Sequence, residues 1–262
     1  MAYSEAQDIS EHGTDIQRML DHLAPHATAP FGIALDVGGG GGIHSSLLAL
    51  HVERIYCTDF WDQNKRYGGE FVKLLCEKME RNGYPSPLGK LEFHAVDAMN
   101  MPYRDDHFDL VVSFNAFEHI PDPAQALDEM IRVTKPGGLI YVTFDPIWTA
   151  DSGSHFYYRV TQPWRHLLCD DEQYVREMIA ANATKEECDD YRTGMNRLRL
   201  ADHQATFERW KGEVDFLVEE EWSGCSLPEN TKHPNFEACR NAGYGEQELL
   251  FRGMLKLIRK KK

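Results

Sequence analysis

Residues 31–50 read Phe-Gly-Ile-Ala-Leu-Asp-Val-Gly-Gly-Gly-Gly-Gly-Ile-His-Ser-Ser-Leu-Leu-Ala-Leu. An apolar run, an acid at Asp36, five glycines and a second apolar stretch predict a strand, a tight turn and a helix in succession. Glycine is needed where backbone turns with φ > 0 and where a ligand must come within van der Waals contact of the main chain. Spacing selects the ligand. The dinucleotide-oxidoreductase pattern wants glycines at i, i+2 and i+5. Every register here fails at the third place, which holds Ile43, His44 or Ser45. The alternative, acid-x-Gly-x-Gly-x-Gly, is met by Asp36, Gly38, Gly40 and Gly42, with Gly39 inside the same bend.

Outward from the glycines, strands and helices alternate. Residues 54–58 predict a second strand ending at Asp59, and 69–82 carry Phe71, Val72, Leu74, Leu75 and Met79 at helical spacing. Residues 91–96 predict a third strand running into Asp97, and 108–114 form the nearly continuous apolar run of a buried parallel strand. Residues 122–133 predict a helix with Pro123 in its first turn. A turn at 135–138 and a fifth strand at 139–144 follow. A short helix is expected at 14–23, and two final strands at 214–221 and 248–258. The expected fold is α/β: a doubly wound, seven-stranded, mostly parallel sheet with a helical insertion after strand five. One domain should span 1–262. Its insertion, 146–210, should cover the substrate pocket, with helices near 171–181 and 198–211.

The bulk composition narrows the partners. A formal net charge of −14 repels polyanions, so nucleic acid is not an expected partner. No run approaches the ~18 apolar residues of a membrane span, and the first residues lack the basic and apolar regions of a secretory signal. A cytoplasmic protein without a membrane span is expected. The six cysteines are scattered without a Cys-x-x-Cys pair, which fits reduced thiols better than a disulfide framework or structural zinc.

Residues 108–123 read Phe-Asp-Leu-Val-Val-Ser-Phe-Asn-Ala-Phe-Glu-His-Ile-Pro-Asp-Pro, and 126–144 continue Ala-Leu-Asp-Glu-Met-Ile-Arg-Val-Thr-Lys-Pro-Gly-Gly-Leu-Ile-Tyr-Val-Thr-Phe. With the glycine motif, this resembles the class I S-adenosylmethionine (SAM)-dependent methyltransferases. Within them, it looks like the ubiquinone/menaquinone-biosynthesis type of small-molecule enzyme. The resemblance covers roughly 31–145 and implies a Rossmann-like methyltransferase fold, SAM as cofactor and methyl transfer to a small-molecule acceptor. Oxygen is the expected acceptor atom. A protein or lipid-linked acceptor and a non-catalytic SAM-binding protein are the alternatives, and a homodimer is left open.

In an open α/β sheet, ligands lie at the carboxyl ends of the strands, and polar residues fall there throughout. Asp36 with Gly38, Gly39 and Gly40 follows strand one, Asp59 strand two, Asp97 strand three, Asn115–His119 strand four and Asp145 strand five. Asp59 sits where a carboxylate can accept both ribose hydroxyls, worth roughly 1.5–3 kcal/mol each. Phe60 and Trp61 beside it are placed to pack on adenine. The resemblance implies that Asp97 takes the adenine amino group while the Ala98 amide contacts the ring. Asn115 should meet the cofactor's amino-acid portion through its backbone. His119, His155 and His166 are the candidate bases. The last two lie in 154–166, a run rich in rings and arginine that reads either as a lid or as an aromatic mini-core anchoring the insertion. Some quinone O-methyltransferases and RNA-end methyltransferases with a Glu-x-x-Glu-His run here bind a divalent metal. Asn115 stands in place of the first acid, so no metal is expected.

Overall fold

A parallel strand buried on both faces needs apolar side chains in alternation. Leu110 and Val112 pack into one hydrophobic layer and Val111 into the other. The computed structural model describes residues 4–262. In it, β1 (Phe31–Val37) lies between β2 (Val52–Asp59) and β4 (Phe108–Phe114), parallel to both. With β3 (Leu91–Ala95), β5 (Thr134–Phe144), β6 (Val214–Ser223) and β7 (Phe251–Lys260), the sheet runs β3-β2-β1-β4-β5-β7-β6. Only β7 opposes the rest, pairing antiparallel with β5 and β6. The expected seven-stranded, mostly parallel sheet is the one observed. Its strand order reverses between β1 and β4, the position at which such sheets open a ligand crevice.

Helices cover both faces. On one, α1 (Glu5–Leu23), α2 (Ile43–Leu48) and α4 (Phe71–Arg81) bury Ile16, Met19, Leu47, Leu48, Phe71 and Leu75. On the other, α5 (Pro123–Val133) and α8 (Leu200–Glu208) bury Ala126, Leu127, Met130 and Phe207. A short α3 (Gln63–Arg66) follows β2. Among the described residues, no helix is long and apolar enough to cross a membrane. All six cysteines are free thiols.

Several elements depart from expectation. Helix α1 begins at Glu5 rather than near residue 14. Ser4 and Gln7 form a reciprocal capping box there, but Ile9 is the only large apolar residue in the first turns, so the periodicity is faint. The turn at 135–138 lies inside β5, because Phe108 pairs with Thr134 while Leu110 pairs with Leu139. Residues 248–250 belong to α10 (Glu246–Leu250), and β7 starts only at Phe251. Helices α7 (Lys185–Thr193) and α9 (Pro234–Asn241) were not expected. Each buries only two side chains, Cys188 and Tyr191 in one and Phe236 and Cys239 in the other.

Between β5 and β6, α6 (Asp171–Ala180) and α7 enclose their own core of Trp148, Tyr174, Met178 and Tyr191. The Tyr174 and Tyr191 rings stack at 4.5 Å. The segment after β6 docks onto it. Trp164 packs 5.2 Å from Phe236, and buried Asp151 accepts from the Ser226 amide (2.7 Å), the Ser226 hydroxyl (2.9 Å) and Asn230 (2.6 Å).

Helix α8 carries His203, buried against Phe144 with neither ring nitrogen hydrogen-bonded among the described residues. Burial pushes its pKa down to about 4. The folded chain therefore binds this proton more weakly than the unfolded one, so the site costs nothing at pH 7 and destabilises as pH falls below about 6.5. At pH 5 the loss is about 2 kcal/mol. Urea unfolding at pH 7 and pH 5 should show His203→Leu losing about 2 kcal/mol less than the native chain over that interval. An identical loss in both would contradict the assignment.

Candidate functional site

The glycine bend is built from both sides. Gly38, Gly40 and Gly42 take positive φ of 75°, 48° and 71°. A Cβ on Gly38 would stand 2.5 Å from that of Ala116, and one on Gly39 would stand 2.7 Å from Asp36 Oδ2 and Cys57 Sγ. Side chains are excluded there by the protein itself. At Gly41 a Cβ would meet nothing within 4 Å, so that edge of the bend faces open space.

Asp59, the last residue of β2, is clamped by the bend. Its Oδ2 accepts the Gly40 amide at 3.1 Å and its Oδ1 the Trp61 amide at 2.8 Å. Each oxygen retains a further lone pair for a ligand hydroxyl. Asp36 is fully buried beneath the bend, where the Ser45 hydroxyl donates to its Oδ2 at 2.5 Å. Its Oδ1 has no hydrogen-bond partner among the described residues. Burial, reinforced by the charge of Asp59 and opposed by Ser45, lifts the Asp36 carboxyl to about 7.

The remaining expected contacts lie along the same edge. Asp59 O accepts the Val96 amide at 2.8 Å, which brings Asp97 and Ala98 alongside. The Asp97 carboxylate accepts the Met99 amide at 2.9 Å. Phe60 and Trp61 are 68% and 62% exposed, with rings edge to face at 5.6 Å. Asn115 takes a left-handed backbone (φ 49°) and donates its amide to Thr143 O at 2.8 Å.

Opposite the bend, the turn after β4 meets the insertion. Asn196 donates to the carbonyls of Phe117 (2.7 Å) and Ile120 (2.9 Å), and its amide donates to Glu118 O (2.9 Å). His119 Nδ1 bonds Gly194 O at 2.5 Å, and His155, itself at φ 62°, bonds Pro146 O through Nε2 at 3.0 Å. The two rings meet edge to face at 5.0 Å. Burial lowers the pKa of both, that of His155 to about 4. His166 lies apart from this pair, buried in the mini-core with Nε2 on Trp148 O at 2.8 Å; burial likewise brings it to about 4. On the far side, Arg66 of α3 pairs with Glu186 of α7 at 3.0 Å, tying the insertion to the β2 end of the sheet.

Two residues outside the expected set belong here. Glu118 is fully buried with a carboxyl raised well above its ordinary value by burial. His44, just past the glycines, stacks on Phe114 at 4.2 Å and bonds Asp15 at 3.0 Å. The adjacency of Glu118 to His119 was visible in the sequence, but its burial depends on the insertion that folds over it.

Comparison with known proteins agrees with this geometry. Residues 35–142 match the methyltransferase domain family. An uncharacterised methyltransferase of Mycobacterium leprae is 36% identical over 135 residues, covering 51% of this chain and 44% of that protein. One of Mycobacterium tuberculosis shows the same identity, over 51% of this chain and 47% of the relative. The chain thus spans less than half the length of these relatives. A putative sarcosine dimethylglycine methyltransferase from Galdieria sulphuraria superposes with a TM-score of 0.55 at 16% identity, over 95% of this chain and 86% of that one. Geranyl diphosphate methyltransferase, solved with SAM, gives 0.55 at 11% identity, over 94% and 84%. These structures show the fold. Residues 35–142 are thus similar to a methyltransferase domain, and one of the proteins that share the fold was solved with SAM. The residues fit SAM: a backbone bend open at Gly41, a fixed carboxylate with spare lone pairs, and beneath them a buried Asp36 oxygen without a hydrogen-bond partner among the described residues.

Two outcomes follow for binding. Asp59→Ala should weaken S-adenosylhomocysteine at least about tenfold in calorimetric titration, the loss of one charge-assisted contact. Unchanged affinity would move the ribose elsewhere. Because a cation favours ionised Asp36, the affinity for SAM should rise more steeply between pH 6 and pH 8 in the native chain than in Asp36→Asn. Parallel slopes would separate Asp36 from the ligand's charge.

Proposed function

We propose that this chain transfers the methyl group of SAM to an oxygen atom of a small-molecule acceptor. The observation that carries this reading is the pair of neutral imidazoles, His119 and His155, presented beside the glycine crevice. When bound, SAM supplies a sulfonium-activated methyl group. The chain's own task is alignment of acceptor, methyl and sulfur. The glycine bend and Asp59 hold the adenosine, with Phe60 on the base, Asp97 and Ala98 at its edge and Asn115 at the amino-acid end. The insertion, stapled by Asn196 to the turn after β4, covers the acceptor's side.

A hydroxyl acceptor must lose its proton, and a positioned base contributes about 10²–10⁴-fold. Backbone carbonyls take one nitrogen of each ring, which leaves the other as a lone pair. His119 is the better proton acceptor, because its bond to Gly194 O and then the charges of Asp59 and Asp190 partly offset its burial. His155 packs against it, and His166, held by Trp148, sets the wall behind.

The test is transfer of labelled methyl from SAM into a panel of phenols, hydroxy acids and amines, with the product's methylated atom read by mass spectrometry. Oxygen methylation is expected; exclusive nitrogen or carbon methylation overturns the acceptor assignment. His119→Gln and His155→Gln should each lower turnover by about 10²-fold while S-adenosylhomocysteine affinity stays within about twofold. Full turnover in both variants would remove the base from these rings.

A further inference from the structure

The lone pairs left on His119 and His155 do more than face an acceptor. One donor atom from each of Glu118, His119 and His155 lies within 4.8 Å of the other two. A backbone carbonyl only accepts, so the neutral rings carry their protons at His119 Nδ1 and His155 Nε2, facing Gly194 O and Pro146 O. This leaves His119 Nε2 and His155 Nδ1 without a hydrogen bond among the described residues. A carbonyl behind each imidazole, fixing the tautomer, is how proteins orient metal-ligating histidines.

Glu118 is the second, independent observation. It is fully buried, and neither carboxyl oxygen has a hydrogen-bond partner among the described residues. A buried unpaired carboxyl is costly, and a bound cation relieves that cost. The surrounding field has the matching sign, because Asp145 acts on Glu118 and Asp59 and Asp190 act on His119. The expectation that no metal binds rested on Asn115 in place of an acid. The missing donor comes instead from the insertion.

We propose that Glu118, His119 and His155 form a binding site for one divalent cation of the zinc, cobalt, manganese or ferrous class. Two imidazoles and one carboxylate suit those ions better than magnesium or calcium and leave coordination positions open. The site deepens the acceptor half of the proposed reaction and rests on that reading only for what its open positions hold; a ring lone pair that ligates the cation cannot also take the acceptor's proton, so His119 acts as base only in the cation-free chain.

The test uses the full chain stripped with a chelator and titrated with Co²⁺, followed by visible absorbance and calorimetry. One Co²⁺ per chain is expected, with a ligand-field band that Zn²⁺ abolishes. Glu118→Gln, which preserves volume, and His155→Gln should each weaken Co²⁺ by at least about tenfold. Circular dichroism checks the fold of both, and either folded variant suffices. Absence of saturable binding in the native chain, or undiminished affinity in a folded variant, overturns the site. A parallel titration of the stripped native chain with S-adenosylhomocysteine separates the two claims. Nucleoside binding without cobalt binding overturns the cation site alone, whereas cobalt binding without nucleoside binding overturns the methyltransferase reading alone.

Discussion

The amide of Gly40 donating to the carboxylate of Asp59 joins the two halves of the crevice. It fixes the tip of the bend after β1 to the end of β2 and orients a carboxylate that forms no ion pair among the described residues. The constraint acts in both directions. The bend can approach Asp59 because Gly39 and Gly38 lack side chains that would strike Cys57, Asp36 and Ala116. Asp59 can stay fixed because two backbone amides hold it, at modest entropic cost compared with a long side-chain partner. Beneath it, Asp36 is held by Ser45 on one oxygen and left unpaired on the other. A negatively polarised floor under bare backbone suits a cationic nucleoside better than a dinucleotide pyrophosphate, which needs unopposed amides at a helix N-terminus.

The wall facing the glycine bend is assembled by a different principle. The turn at 115–120 is closed locally by Ala116 O, which accepts the His119 and Ile120 amides, and from outside by the insertion: Asn196 satisfies the carbonyls of Phe117, Glu118 and Ile120, and Gly194 O meets His119. The insertion in turn stands on its own aromatic core and on Trp164 packed against Phe236. The ring-rich run 154–166 is therefore divided between two tasks. Trp164 and His166 are interior, whereas His155 reaches the crevice. The fold alone does not choose the chemistry. The side chains on this second wall are what distinguish one use of the crevice from another.

The glycine-bend half was legible because its determinants are local. Strand period, glycine spacing and acids at strand ends all fall within short windows, and 31–59 and 108–114 fold as those patterns imply. The second half was less so. Helix α7 is mostly charged and shows itself only through its Thr184–Glu187 capping box, and α9 and α10 bury few side chains. Glu118 illustrates the limit most clearly. Its neighbour His119 marked the position, but that its carboxyl is sealed and unpartnered follows from packing by residues far along the chain, which no periodicity encodes.

The central claim is that bare glycine backbone and the Asp59 carboxylate together grip a sulfur-bearing nucleoside. A crystal structure of the chain soaked with S-adenosylhomocysteine tests it most directly. The account predicts both ribose hydroxyls on Asp59, the adenine between Phe60 and Asp97, and the sulfur turned toward His119 and His155. Density for the nucleoside anywhere other than beside Gly40, or its absence at saturating concentration, would contradict the account.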